Sequence, residues 1–118
     1  MKLHTFIKLI FVGCLMLSNT LNAQTQLRDT NLVENGVLNK KTEIVQLNFT
    51  MMTRLVSVEI VSQEKNKTVI KLPHTTLLMK QHRMTMPHLS NGRYSLKWRA
   101  RGQDRFYVSG IINFEYKN

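Results

Sequence analysis

One cysteine, two prolines and seven acidic residues are all that this sequence holds of those types. A lone thiol cannot form an intramolecular disulfide, and it cannot build a thiolate metal cage. Beyond position 25 no apolar run approaches the roughly 18 residues that a membrane-spanning helix needs, so a multi-span membrane protein is excluded. Heptads and a Gly-X-Y period are absent, which removes coiled coils and collagen. The sequence also lacks G-x-S-x-G, H-E-x-x-H, a glycine-rich phosphate loop and C-x-x-C. Its scattered carboxylates form no evident acid–base pair. These absences point to a binding protein rather than an enzyme. What is present is 17 Lys and Arg residues, a formal charge of +10 and 42% hydrophobic residues in 118 positions, enough apolar content for one packed domain.

The first 23 residues stand apart. Lys2 and Lys8 make a positive start, Leu9 to Leu17 is uninterruptedly apolar, and Ser18-Asn19-Thr20 leads to the small Ala23. This layout predicts a secretory signal cleaved after Ala23, hence a periplasmic protein with no transmembrane span once processed. The rival is a lipid anchor on Cys14, read from Phe11-Val12-Gly13-Cys14. Phe11 and the apolar residues after the cysteine argue against it. Removing the leader takes away Cys14 and leaves 95 residues with a formal +8. In the cytosol that charge would suggest nucleic acid, but an exported chain rarely meets it. The densest basic cluster, Lys97, Arg99 and Arg101, alternates with Trp98 and Ala100. It reads as a solvated strand face, with attraction to anionic head groups or the cell surface as the weaker alternative.

From Gln24 onward the period is almost entirely two. Gln24 to Lys41 is polar and turn-rich and is expected to be a loose leader before a domain spanning 42–118. Val45, Leu47 and Phe49 alternate with polar residues, and Val56, Val58 and Ile60 mark a second strand. Ser62 to Lys67 is a turn, and Thr68 to Leu72 a strand that Pro73 ends. Thr75 to Met79 and Arg83 to Met86 are short extended candidates. After an Asn91-Gly92 turn, Tyr94, Leu96 and Trp98 alternate, and beyond Arg101 to Arg105 so do Ile112, Phe114 and Tyr116. About seven strands predict an all-β, immunoglobulin-like two-sheet sandwich with Leu47, Phe49, Val58, Ile60, Tyr94, Leu96, Trp98, Ile112 and Phe114 inside.

The segment from Leu89 to Ala100 (LSNGRYSLKWRA), then Asp104, then Val108 to Phe114 (VSGIINF), resembles the closing region of the CopC family of small periplasmic copper-resistance proteins. Val45 to Thr50 (VQLNFT) resembles that family's early strand. The likeness spans about residues 43 to 116 and is most specific at Gly92, Tyr94, Trp98-Arg99 and Gly110. It implies an immunoglobulin-like sandwich, copper as the ligand, and an envelope copper transporter or oxidase as partner. The family's Cu(II) site uses a histidine at the mature N-terminus, an aspartate, and the histidine of Asp-Gly-His. Here Gln24 is the expected N-terminus and the loop reads Asp104-Arg105-Phe106, so only Asp104 survives and both imidazoles are missing. The methionine-rich loop that serves Cu(I) in some members is shortened, leaving Met51-Met52 nearby.

His82, Met84, Met86 and His88 offer another donor set. In an extended strand they fall on one face about 7 Å apart, and thioether with imidazole suits Cu(I). Met79 and His74 lie just upstream. The same alternation is equally that of a buried methionine pair filling a core, with the histidines at its edges. Three functions stay open: copper handling with a degenerate Cu(II) site, a metal-free interaction module in the envelope, and an electrostatic binder of anionic polymers.

Overall fold

The computed structural model describes residues 24–64 and 68–118. The expected signal and the Cys14 lipid site lie outside them. The described chain contains seven strands: β1 (Leu27–Thr30), β2 (Gly36–Leu38), β3 (Ile44–Ser62), β4 (Val69–Lys71), β5 (Met79–Thr85), β6 (Gly92–Gly102) and β7 (Tyr107–Tyr116). The protein is all-β, and among the described residues no helix is long and apolar enough to cross a membrane.

β3 organises everything else. The two strands expected from Val45–Phe49 and Leu55–Val61 are one 19-residue strand. No glycine or proline separates them, and Thr50 to Arg54 can continue an extended backbone. Its first half pairs with β1 through Leu47–Phe49 and with β5 through Ile44–Asn48. Its second half pairs with β6 from Thr53 to Ser62 and with β4 at Glu59–Val61. The ladder to β5 is irregular between Asn48 and Thr53. Around this break β3 exchanges one pair of neighbours for another, and the sheet curls until its inner faces meet. One continuous ladder therefore encloses the core. Phe49 from the first half meets Trp98 of β6 edge-to-face, with ring centroids 5.4 Å apart.

All nine residues expected inside are buried, joined by Val45, Leu55, Met84 and Tyr116 among others. Val56 departs from the expected face: it is 47% exposed, whereas Val58 and Ile60 are buried. A bulge between Leu55 and Ser57 inserts one residue and turns Val56 outward. Arg83 to Met86 falls within or just beyond β5, whereas Thr75 to Leu78 is irregular.

Residues 24–41 differ most from the expectation. The supposed loose leader supplies two strands, β1 antiparallel to β3 and β2 parallel to β7, the latter making the sheet mixed. Leu32 and Leu38 belong to the core. Short edge strands carry too little alternation to stand out from polar coil. In the middle of the sheet, the Tyr94 hydroxyl donates to the Ser90 carbonyl at 2.7 Å, tying β6 to the turn before it. Trp98 lies against Gly110 of β7; a Cβ there would come within 2.7 Å of the indole.

Candidate metal centre

β5 places the histidine–methionine set. His82 and Met84 point into the core, paired in register with Leu47 and Val45. Met86 follows them inward, its amide donating to the Glu43 carbonyl at 2.8 Å. These three side chains do share one face, and it is the core face: His82 is 1% exposed, Met84 4% and Met86 8%. His88 does not join them. The strand ends at Thr85, Pro87 intervenes, and His88 is exposed beside a crevice lined by Lys40, Glu43 and Tyr116. Alternation carries one residue past the strand, to Met86, and is lost at Pro87.

His82 is the chemically distinctive member. Its Nε2 lies 3.0 Å from the Thr53 carbonyl and 3.1 Å from the Met79 carbonyl. Carbonyl oxygens only accept, so Nε2 carries the proton and donates to both. The Thr53 hydroxyl sits 3.0 Å from the same nitrogen and donates onward to the Met79 carbonyl. Nδ1 is consequently the bare lone pair, and it is buried with no hydrogen-bond partner. Burial holds the imidazole pKa below its ordinary value, and nearby His74 pushes the same way; the bonds to Thr53 and Met79 oppose them without prevailing. The ring also meets Phe49 edge-on, with centroids 5.8 Å apart.

Thr53 and the Met79 carbonyl were not legible in the sequence as site groups. The one signal was a threonine set in an apolar alternation. Met79, paired with Thr53, is 39% exposed, and Met52 is 38% exposed. Met51 is half-buried, as is His74, whose Nδ1 is 3.0 Å from the Leu72 carbonyl.

Asp104 occupies the turn between β6 and β7. One carboxylate oxygen accepts from the Thr25 amide at 3.0 Å and the other from the Phe106 amide at 3.1 Å. Partial desolvation would raise this carboxyl, but the Thr25 side chain and amide, then the Phe106 amide, outweigh it and hold the pKa below the usual value. The start of the described chain and Asp104 are thus brought together across the molecule, with Gly102 beneath them. An ideal Cβ at Gly102 would fall 2.0 Å from the Thr25 hydroxyl and 2.5 Å from Asp104 Oδ1. The neighbouring side chains are those of Gln24, Arg105 and Phe106, and none supplies an imidazole. One committed carboxylate beside a guanidinium does not fit Cu(II). Among the described residues no three His, Cys, Asp or Glu side chains gather to hold a metal.

The fold is shared with solved copper-resistance proteins. CopC from Methylosinus trichosporium OB3b aligns with a TM-score of 0.66 at 19% identity, over 80% of this chain and 94% of that one. PcoC, a methionine-rich copper resistance protein from Escherichia coli, aligns with a TM-score of 0.58 at 20% identity, over 80% of this chain and all of that one. No curated protein matches by sequence. A family model, the CopC domain, matches residues 27–117. This match begins at the first residue of β1 and ends one residue beyond β7, so it takes in the whole sheet, and the chain belongs to the CopC domain family.

Proposed function

We propose that this chain is a non-catalytic copper-handling protein of the bacterial periplasm, exported by a signal cleaved after Ala23, that has lost its family's Cu(II) site and handles Cu(I) through methionine and histidine. The observation that carries this reading is the buried, unpartnered Nδ1 of His82. A neutral imidazole whose other nitrogen is fixed by backbone carbonyls is a pre-set nitrogen donor, and the Thr53 and Met79 carbonyls hold its tautomer. Met84 and Met86 lie on the same face and supply soft sulfur. Met79, paired with Thr53 and 39% exposed, and the half-buried His74 are further donors nearby. The immunoglobulin-like sandwich is part of the same reading, supported by the curled sheet and by the Tyr94–Ser90 hydrogen bond, which has the form of a tyrosine corner. The partner would be an envelope copper transporter or oxidase, and His88 and Asp104 are peripheral to the bound ion.

Anaerobic competition against a Cu(I) chelator tests the reading. The protein is expected to withdraw Cu(I), and the double substitution Met84→Leu/Met86→Leu to abolish that withdrawal. Because Leu conserves volume, stability should change by less than about 1.5 kcal/mol. Cu(II) titration should show no tight site at Asp104. If the unmodified protein takes no Cu(I), the copper reading fails, and a metal-free interaction module in the envelope replaces it.

A further inference from the structure

The outer face of β6 and β7 presents a run of cations, with Glu59 of β3, paired with Lys97, as the carboxylate facing them. Lys97, Arg99 and Arg101 project from alternate positions of β6 and are exposed, as is Arg105 in the following turn. Among the described residues the ion pairs are Arg28–Asp29 and Lys117–Glu115, the latter at the far end of β7, and neither engages Lys97, Arg99 or Arg101. The guanidinium carbons of Arg99 and Arg101 lie 4.6 Å and 5.6 Å from the ring centroid of Tyr107, which fixes both groups over one aromatic plane. Apolar side chains stand among these charges. Phe106 is 58% exposed, Tyr107 54% and Ile111 58%.

The turn that carries Phe106 is rigid. Gly102 and Phe106 are joined by an amide-to-carbonyl bond of 2.9 Å, Arg105 N donates to the Gly102 carbonyl at 2.9 Å, and Asp104 accepts from the Phe106 amide. Arg105 is held at φ 70°, a left-handed conformation where glycine or asparagine sits with less strain. A fixed turn thus holds a large aromatic ring in water, directly between Arg105 and Tyr107 in sequence. Solvent exposure of Phe106 stabilises nothing in the isolated molecule.

We propose that this hairpin face, with Arg99, Arg101, Arg105, Phe106 and Tyr107 as its contacts, docks on the surface of a bilayer rich in anionic phospholipid. Charge complementarity selects phosphate-bearing head groups, and guanidinium matches phosphate bidentately. The aromatic pair selects a membrane over a purely polar polymer, because aromatic side chains settle at the head-group level beside the acyl chains. Docking in this orientation would carry the turn containing Asp104, and the first described residues tied to it, against the membrane.

Vesicle flotation tests this with protein purified after export and its intact mass confirmed. Binding is expected to phosphatidylglycerol-containing vesicles, to be lost on going from low salt to about 0.5 M salt, and to be absent with pure phosphatidylcholine. Arg99→Gln and Arg101→Gln should each lower partitioning about fivefold, the effect of one basic residue near an anionic surface. Phe106→Ser should lower it further at unchanged thermal stability, which separates loss of anchoring from loss of fold. Absence of binding to phosphatidylglycerol vesicles at low salt overturns the proposal. So does binding that ignores Phe106 and is fully displaced by polyglutamate, which would make an acidic polypeptide the partner. Copper plays no part in the readout, so the result stands apart from the fate of the Cu(I) reading.

Discussion

His82 shows how a single polar side chain can be held in a core. Both carbonyls at Nε2 fix a proton on that nitrogen, while burial favours the neutral ring, and protonating Nδ1 as well would place a charge where no acceptor exists. The folded-state pKa is below that of the unfolded chain, so the unfolded state takes up the proton first as pH falls. Stability from this group is therefore complete above about pH 6.5 and declines as pH drops from there toward the folded-state value. Chemical denaturation at pH 7.5 and 5.5 should show a lower midpoint at the acid value, with a smaller difference in His82→Phe. Copper affinity should follow the same rule: the lowered pKa keeps His82 available as a donor below the pH at which an ordinary histidine is protonated. Gly102 makes a second residue-scale case. Its position beneath Thr25 and Asp104 leaves no room for a methyl group. Gly102→Ala is expected to cost roughly 1–3 kcal/mol and to free the N-terminal segment, seen as faster proteolysis there.

At the scale of elements, β3 is governed by the phase of its alternation. Val45, Leu47, Phe49, Thr53 and Leu55 keep one phase, and Val58 and Ile60 resume it one residue late. The bulge at Val56 absorbs that slip, so two valines that look equivalent in sequence have opposite environments. Val58→Ala should therefore destabilise the protein by about 2 kcal/mol, while Val56→Ala should stay within about 0.5 kcal/mol. Urea midpoints at unchanged m-value would check the pair; equal losses would contradict the bulge. β5 obeys the same logic. It buries His82 and Met84 by period, and it ends before period can position His88.

For the whole molecule, the N-terminal strands matter more than their length suggests. β1 covers one side of β3 at Leu47–Phe49, and β2 closes the free edge of β7 at Phe114–Tyr116. A chain beginning at Thr42 would bare both edges and lose the core residues Leu32 and Leu38. Such a truncation is expected to lose its cooperative thermal transition and to bind a hydrophobic dye, whereas a chain beginning at Gln24 unfolds in one step. Retention of a sharp transition by the shorter chain would mean that the two strands are ornamental.

Much of this protein follows from its sequence alone. Period-two alternation determined the all-β class and the buried set from Leu47 to Phe114, because a strand's side chains must take opposite faces whatever lies opposite them. The residues from Leu89 to Phe114 sufficed for the family resemblance, and the missing imidazoles around Asp104 were countable. Local pattern could not reveal which strands would be neighbours. The union of two predicted strands into β3, the recruitment of 27–38 as edge strands, and the meeting of Thr25 with Asp104 all depend on pairings between residues far apart in the chain. The same holds at His82. Its place on an alternating face was legible, but its tautomer and its orphaned nitrogen follow from the carbonyls of Thr53 and Met79. Those groups belong to the backbone, which every sequence shares, so only the tertiary structure could bring them to one ring.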